Sequence, residues 1–399
     1  VNVADRDRDA YIVSACRTAI GEFLGGLSSM SAPQLGAVVI REAVQRAGIS
    51  PDQVEEVLMG HVVQAGAGQA PARQAAIHGG IPDTVGATTV NKVCGSGLKA
   101  VMLAAQAIRA GDMDVIVAGG MESMSNVPYL LPKARTGYRL GNGELVDGVI
   151  HDGLWCAFKG HHMGNSAEFI ARKFNVTRED QDRFSADSHK KAVAAQKEGA
   201  FKDEIVPVLI PQKKGEPKCF CQDERPRPDT TVETLAKLRP AFDKEGSVTA
   251  GNAPGLNDGA SAVVVMSGAA VKRTGAKPMA RINGYTTGGV APEMIFYAPV
   301  IAVRKLAEKL GRKTNEWDLI EANEAFAAQA IVDAKELNWD FSRLNVRGGA
   351  VALGHPIGAS GARILTTLLY AMRDKKAKTG LATLCLGGGN AVAMSVEAV

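Results

Sequence analysis

Short apolar runs alternate with stretches of helical period along most of the chain. Residues 11–14, 56–59, 115–118 and 262–266 are mostly aliphatic, are of strand length and read as buried strands. A helix is predicted over Ala32–Ala47, between the first two. Ser50-Pro51-Asp52-Gln53 has the form of a capping box with proline at the first helical position, which predicts another short helical turn. Over residues 98–110 the apolar positions Leu98, Val101, Met102, Ala105 and Ile108 recur at helical spacing. The second half uses the same grammar. Strands are predicted over 281–285, 318–320, 345–346, 381–386 and 392–396, and helices over 300–310, 325–337 and 362–374. In each half a Gly/Ser turn opens a long helix, Gly95-Ser96-Gly97 in one and Gly358-Ala359-Ser360-Gly361 in the other. Each helix leads to a strand ending in glycines, Gly119-Gly120 and then Gly387-Gly388-Gly389. This parallel predicts an internal duplication. The βα alternation predicts α/β layers with mainly parallel sheets.

Residues 121–250 break the alternation. They hold Pro, Lys and Arg clusters, a charged helix over about 177–198, and a stretch at 211–232 with little periodicity. This predicts an inserted loop domain over one face of the sheets, where binding groups commonly sit on a rigid scaffold. The division is therefore residues 1–120 with 251–270 as the first half, 121–250 as the loop domain and 271–399 as the second half.

Composition narrows the classes. Of 399 residues 46% are hydrophobic and 22% charged, enough for a large core under a soluble surface. The 44 glycines follow no collagen-like period and read as tight loops after strands. A net charge of +4 is mild; it helps attract an anionic small molecule but is too weak to argue for nucleic acid or a membrane surface, and neither is expected as a partner. Residues 381–396 carry no charge but are short for a spanning helix and are split by three glycines, so two strands around a turn are expected. Residues 1–10 alternate charges without an apolar core, and no signal peptide is expected. Six cysteines in so long a chain are no disulfide framework; they read as reduced thiols of a reducing compartment, the cytoplasm, with a mature mitochondrial form as the alternative.

Four short segments pair a reactive side chain with small neighbours: Asn91 to Gly97 around Cys94, Glu321 to Phe326 around Asn323, Gly354-His355-Pro356-Ile357-Gly358, and Cys385-Leu386-Gly387-Gly388-Gly389. Cys94 stands just before a predicted helix, whose free N–H groups favour a thiolate. Moving a thiol from about 8.5 to about 7 needs only roughly 2 kcal/mol. Taken alone, this thiol reads equally as a nucleophile or as a buried structural cysteine. His355, in a Gly/Pro-rich loop, fits a general base for it, against the plainer reading of a hydrogen-bonded loop histidine. Cys385 reads first as a core strand cysteine, and second as an acid/base thiol beside glycine N–H groups that form an oxyanion hole. Asn323 reads as a holder of water or oxyanion, or as the cap of a helix starting near Glu324. Cys219-x-Cys221 and His161-His162 each suggest a metal, but the spacing is poor and no partner pair follows, so no metal is expected. The lysines and arginines of 213–239 read mostly as a solvated loop.

These segments, together with Gly119-Gly120-Met121-Glu122-Ser123-Met124-Ser125, His162-Met163-Gly164 and Val13-Ser14-Ala15-Cys16-Arg17-Thr18, closely resemble the thiolase family, in its order and spacing and over essentially the whole chain. The resemblance implies a duplicated αβαβα layered α/β fold, two five-stranded mixed sheets, with a loop domain inserted in the first half. It implies that Cys94 carries the acyl group, that His355 activates it, and that Cys385 moves the α-proton. Asn323, through a water, and His355 would form one oxyanion hole. The N–H groups of Cys94 and Gly387 would form the other. His162 and Met163 would line the acyl and pantetheine channel, and Arg227 would approach the nucleotide end of coenzyme A. The implied partners are acetyl-CoA, acetoacetyl-CoA and CoA, with CoA as substrate and no separate cofactor. The implied assembly is a homodimer or homotetramer.

The expected reaction is ping-pong Claisen condensation and thiolysis, two acetyl-CoA exchanging with acetoacetyl-CoA plus CoA. The alternative is a broader-chain 3-ketoacyl-CoA thiolase. A ketosynthase relative would place histidine where Cys385 stands. A non-catalytic lipid or CoA carrier would have lost a reactive residue, and a Cys/His hydrolase would need no second thiol. The chain departs from the family pattern at Pro254, at Phe296-Tyr297, at Arg347 and at Asn390-Ala391, which leaves chain-length preference open.

Overall fold

The computed structural model describes residues 3–399, so the first two residues of the charged N-terminal stretch lie outside the description. The first half contains β1 (Ala10–Thr18), α1 (Ala32–Ala47), β2 (Glu56–Gly60), α2 (Pro71–His78), β3 (Gly86–Val90), α3 (Ser96–Ala110) and β4 (Val115–Ser123). An insertion carries α4 (Met163–Lys173) and α5 (Arg178–Lys197), with short strands and short helical segments such as Val232–Ala236 around them. The chain then runs through β5 (Asn257–Ser267), β6 (Ala280–Gly289), α6 (Ala298–Lys309), β7 (Leu319–Ala322), α7 (Ala327–Glu336), α8 (Ser360–Lys375), β8 (Thr379–Leu386) and β9 (Asn390–Ala398).

Strand pairing displays a duplication. In the first half β2 pairs parallel with both β3 and β4, and β5 runs antiparallel between β4 and β1. In the second half β8 pairs parallel with β7, and β9 runs antiparallel between β8 and β6. The place of β3 is taken there by one parallel bridge, Ile320 to Leu344. A strand over 345–346 does not form, because Asn345 adopts φ 44° and turns its amide back onto the Ala322 N–H and C=O at 2.9 Å each. The halves meet edge to edge where β1 touches β6 at Tyr11–Arg281 and Ile12–Ala280. Hydrogen bonding therefore follows one path, β7-β8-β9-β6-β1-β5-β4-β2-β3, rather than two separate five-stranded sheets. The pairing is mixed rather than mainly parallel. The three-glycine turn between β8 and β9 is too short for a crossover helix and forces an antiparallel return. Its left-handed residues are Gly388 and Gly389, at φ 82° and 86°.

Helix placement completes five α/β layers. α3 packs on β2 and β4 of its own half and on β9 of the other; α8 packs on β7 and β8 and also on β5. These two form the middle layer, while α1 and α6 cover the outer faces. α8 accordingly buries residues on all its sides, among them Ile364, Leu365, Leu368, Leu369 and Met372. The two middle helices approach through glycine: a Cβ on Gly97 would stand 2.8 Å from the Ala362 nitrogen, and one on Gly361 would stand 2.5 Å from that of Leu98. The insertion is tied down by buried charge, with Arg17 reaching Glu204 at 2.6 Å and Asp223 at 2.7 Å. No helix among the described residues is long and apolar enough to cross a membrane.

Candidate active site

A cavity of about 300 Å³ opens where the two halves and the insertion meet, and Cys94, His355, Cys385 and Gly387 all face it. Its remaining wall is apolar: Leu154 and Phe242 come from the insertion, and Ile295, Phe296 and Phe326 from the second half. Phe326 stands edge-on to both Phe296 and Phe242, with ring centres 5.3 and 6.2 Å apart, which stiffens that wall.

Cys94 is presented by a tight turn between β3 and α3. Val93 takes φ 46°, a conformation that costs a β-branched residue on the order of 1–3 kcal/mol and is held by its surroundings. Ser96 closes the turn, since its hydroxyl donates to the Val93 carbonyl at 2.6 Å and accepts from Lys92 N–H at 2.8 Å. The thiol is met by its own N–H and that of Gly387, both of which favour the thiolate. Burial against the apolar wall outweighs them and pushes the thiol up to about 12, with the Glu122 carboxylate adding in the same direction. Desolvation thus works against the pull of the N–H groups expected from the helix start and favours the protonated thiol.

His355 follows Gly354, and its N–H donates to Asn257 Oδ1 at 2.8 Å. Its Nδ1 lies 2.6 Å from Ser360 Oγ. The Ser360 hydroxyl hydrogen is already given to the Pro356 carbonyl at 2.9 Å, so Ser360 accepts and Nδ1 carries the proton. Nε2 then holds the lone pair. Burial, aided by the nearby Arg363 charge, lowers the imidazole pKa to about 3 and keeps the ring neutral, as a base must be. The loop behind it is clamped by the buried Glu122. That carboxylate accepts from Gly358 N–H at 2.9 Å, Val62 N–H at 3.1 Å and Val63 N–H at 3.3 Å, and lies 3.2 Å from His61 Nε2.

Cys385 sits at the end of β8, buried, its pKa held well above the usual thiol range by burial first and by Cys94 and Asp333 next. Asn323 is fully buried behind His355, with Nδ2 3.5 Å from His355 Nδ1, and is not part of the cavity wall. It caps no helix: α7 starts at Ala327 after an extended Phe326, so the predicted start near 325 moves by two residues. His162 and Met163 line the cavity. The His162 ring stacks on Phe242 at 4.7 Å, accepts from Gly164 N–H through Nδ1 at 3.0 Å, and has its pKa lowered by burial. Arg227 lies apart from the cavity, exposed, with Nη2 3.5 Å from Glu22. Sequence reasoning did not single out Ser360, Asn257 or the clamp at Glu122. Their only signals were a serine in the second Gly/Ser turn and a carboxylate placed after two strand glycines.

The profile of the thiolase N-terminal domain matches residues 10–269 and that of the thiolase C-terminal domain matches residues 276–398. The chain belongs to the thiolase family. A curated acetyl-CoA acetyltransferase of Pseudomonas aeruginosa is 57% identical over 98% of this chain and 99% of its own. One from Escherichia coli strain K12 is 55% identical over the same shares. The crystal structure of the Bacillus anthracis acetyl-CoA acetyltransferase superposes with a TM-score of 0.96 at 43% identity, covering 98% of this chain and 99% of that one. Within this thiolase the unusual residues fall in different places. Pro254 and Phe296 line the cavity. Tyr297 turns away to donate to Glu336 at 2.8 Å. Arg347 is buried between Glu204, at 3.2 Å, and Asp374, joining insertion to second half. Asn390 is a ladder residue opposite Gly289. Of these five residues only Pro254 and Phe296 bear on what the cavity admits.

Proposed function

We propose that this thiolase interconverts two acetyl-CoA with acetoacetyl-CoA and CoA through an acetyl group held on Cys94. The observation that carries the reading is the convergence of a nucleophilic thiol, a neutral imidazole with a free Nε2 and a second, protonated thiol on one small apolar cavity. In the thiolysis direction Cys94 Sγ attacks the 3-keto carbon while His355 takes its proton. The carbon–carbon bond breaks, and Cys385 protonates the enolate carbon, releasing acetyl-CoA. The thiol of incoming CoA passes its proton to the Cys385 thiolate and attacks the acetyl group. Cys94 leaves and recovers its proton from His355. Condensation is the reverse sequence. The N–H groups of Cys94 and Gly387 stabilise the tetrahedral oxyanions, one such donor being worth roughly 3–4 kcal/mol. His355, with Asn323 acting through a water, stabilises the enolate oxygen.

The names of the similar bacterial proteins support the short-chain reading, as does the aromatic wall at Phe296 and Phe326. His162 and Met163 are assigned to the acyl channel, a reading supported by their place in the wall. Arg227, at the open surface of the insertion, is assigned to the nucleotide end of CoA. The chemistry calls on no group beyond these side chains and CoA itself. A homotetramer or homodimer in the cytoplasm is the accompanying proposal. Thiolysis rates for acetoacetyl-CoA and for longer 3-ketoacyl-CoA thioesters test it: a preference for the longer chains overturns the short-chain assignment. A Cys94→Ala variant that still forms acetoacetyl-CoA at the native rate overturns the nucleophile.

A further inference from the structure

A second hollow, a groove of about 550 Å³, lies between the end of α5 and the segment that follows the hairpin Val208–Ile210/Lys218–Phe220. Its wall includes Phe201, Pro226, Lys197, Lys202 and the thiol-bearing Cys221. None of the catalytic residues reaches it. Cys219 and Cys221 are exposed while Phe220 between them is buried, so the two thiols project from the same side of the chain. The segment is pinned on both sides of the pair: Lys218 is in register with Ile210, and Asp223 grips Arg17 at 2.7 Å and the Ile20 N–H at 2.8 Å. Cys221 lines the groove and Cys219 does not, so a molecule held there meets the Cys221 sulfur first. The other four cysteines are poorly placed for surface chemistry, Cys16, Cys156 and Cys385 being buried and Cys94 lying inside the catalytic cavity.

We propose that Cys221 and Cys219 form a redox-responsive dithiol that reacts with a small anionic disulfide bound in this groove, Cys221 attacking and Cys219 resolving. Lys197 and Lys202 supply the cationic wall for the carboxylates or phosphates of such a molecule. In the first step the Cys221 thiolate attacks one sulfur of the disulfide, a mixed disulfide forms and one small thiolate leaves. In the second, Cys219 gives up its proton and attacks the Cys221 sulfur, and the second small thiolate leaves. The two protons of the pair end on the two released thiols; the dithiol loses two electrons and the small disulfide gains them. Two residues of extended chain separate their Cα atoms by about 6.4–6.8 Å, the upper end of the range a disulfide spans. The product ring closes only with a local bend, which makes the link readily reducible and suits a reversible switch rather than a staple.

The test exposes the reduced full-length chain to oxidised glutathione and maps the peptides by mass spectrometry. A Cys219–Cys221 link with release of two glutathione thiols per chain is expected. Cys219→Ser retains glutathione on Cys221, and Cys221→Ser forms no link. Lys197→Gln with Lys202→Gln slows the reaction of oxidised glutathione by roughly fivefold and leaves that of neutral hydroxyethyl disulfide unchanged. Separate glutathione adducts on both cysteines without a link, equal slowing of both disulfides, or modification of Cys94 ahead of the pair would each overturn the proposal. None of these readouts depends on the acyl-transfer reaction.

Discussion

Replacing Ser360 by alanine tests the base directly. Ser360 touches no cavity, yet its hydroxyl is the acceptor that fixes the proton on His355 Nδ1 at 2.6 Å. Without it, Nδ1–H is buried with the Asn323 amide nitrogen, itself a donor, at 3.5 Å. A buried donor left unpaired costs about 1–3 kcal/mol. The ring escapes that cost by moving its proton to Nε2, where Nδ1 accepts from Asn323, and in that tautomer it cannot take a proton from Cys94. At about 1.4 kcal/mol per factor of ten, acylation is expected to slow by roughly 5–150-fold. The assay is single-turnover acetylation of Cys94 by acetyl-CoA under rapid quench, with thermal unfolding as the check on the fold. Ser360→Thr keeps the hydroxyl and is expected to recover most of the rate. Because the neutral imidazole persists down to about 3, the wild-type rate shows no His355 titration between about pH 5 and 8, and the alanine variant loses rate uniformly across that window. Wild-type acylation by a folded Ser360→Ala enzyme, or equal loss in the threonine variant, would refute the tautomer argument.

Three further outcomes are expected. With Cys219 and Cys221 changed to serine, alkylation of Cys94 by iodoacetamide should keep rising to at least about pH 10, because the folded thiol is protonated through neutrality; a plateau with its midpoint near 7 would restore the preformed thiolate. Glu122→Gln removes a charged acceptor shared by three backbone N–H groups, and is expected to lower stability to urea by about 3 kcal/mol and kcat along with it; an unchanged urea midpoint would count against the clamp. Gly97→Ala drives a methyl against the α8 backbone and should cost roughly 1–3 kcal/mol in urea unfolding, whereas Gly289→Ala, with open space around its Cβ position, should be close to neutral.

The layered fold was legible because its signal is periodic. The apolar face of α3 and the uncharged strands β8 and β9 were readable from spacing alone, and the glycine turn between those strands announced itself. What failed depended on contacts between distant residues. The pairing of 345–346 was lost to a side chain that folds back on β7, and the start of α7 to the extended Phe326 beneath the cavity. The upward push on the Cys94 thiol was hidden for a related reason: a helix start is visible in the sequence, while the apolar wall that desolvates the thiol is assembled from segments far apart in the chain.

The duplication explains why the site lies where it does. Ser96 and Ser360 open the two middle helices at matching places in the two halves, each one residue before the glycine at which those helices touch. Ser96 fastens the turn that presents the thiol, and Ser360 fastens the imidazole. Close packing at Gly97 and Gly361 brings the two helix starts, and hence the two devices, to one cavity. The first half therefore holds Cys94, and the second holds His355 and Cys385, with the His355 loop supported across the boundary by Asn257 and Glu122. The chemistry exists only where the halves meet, and widening the glycine contact is predicted to weaken stability and catalysis together.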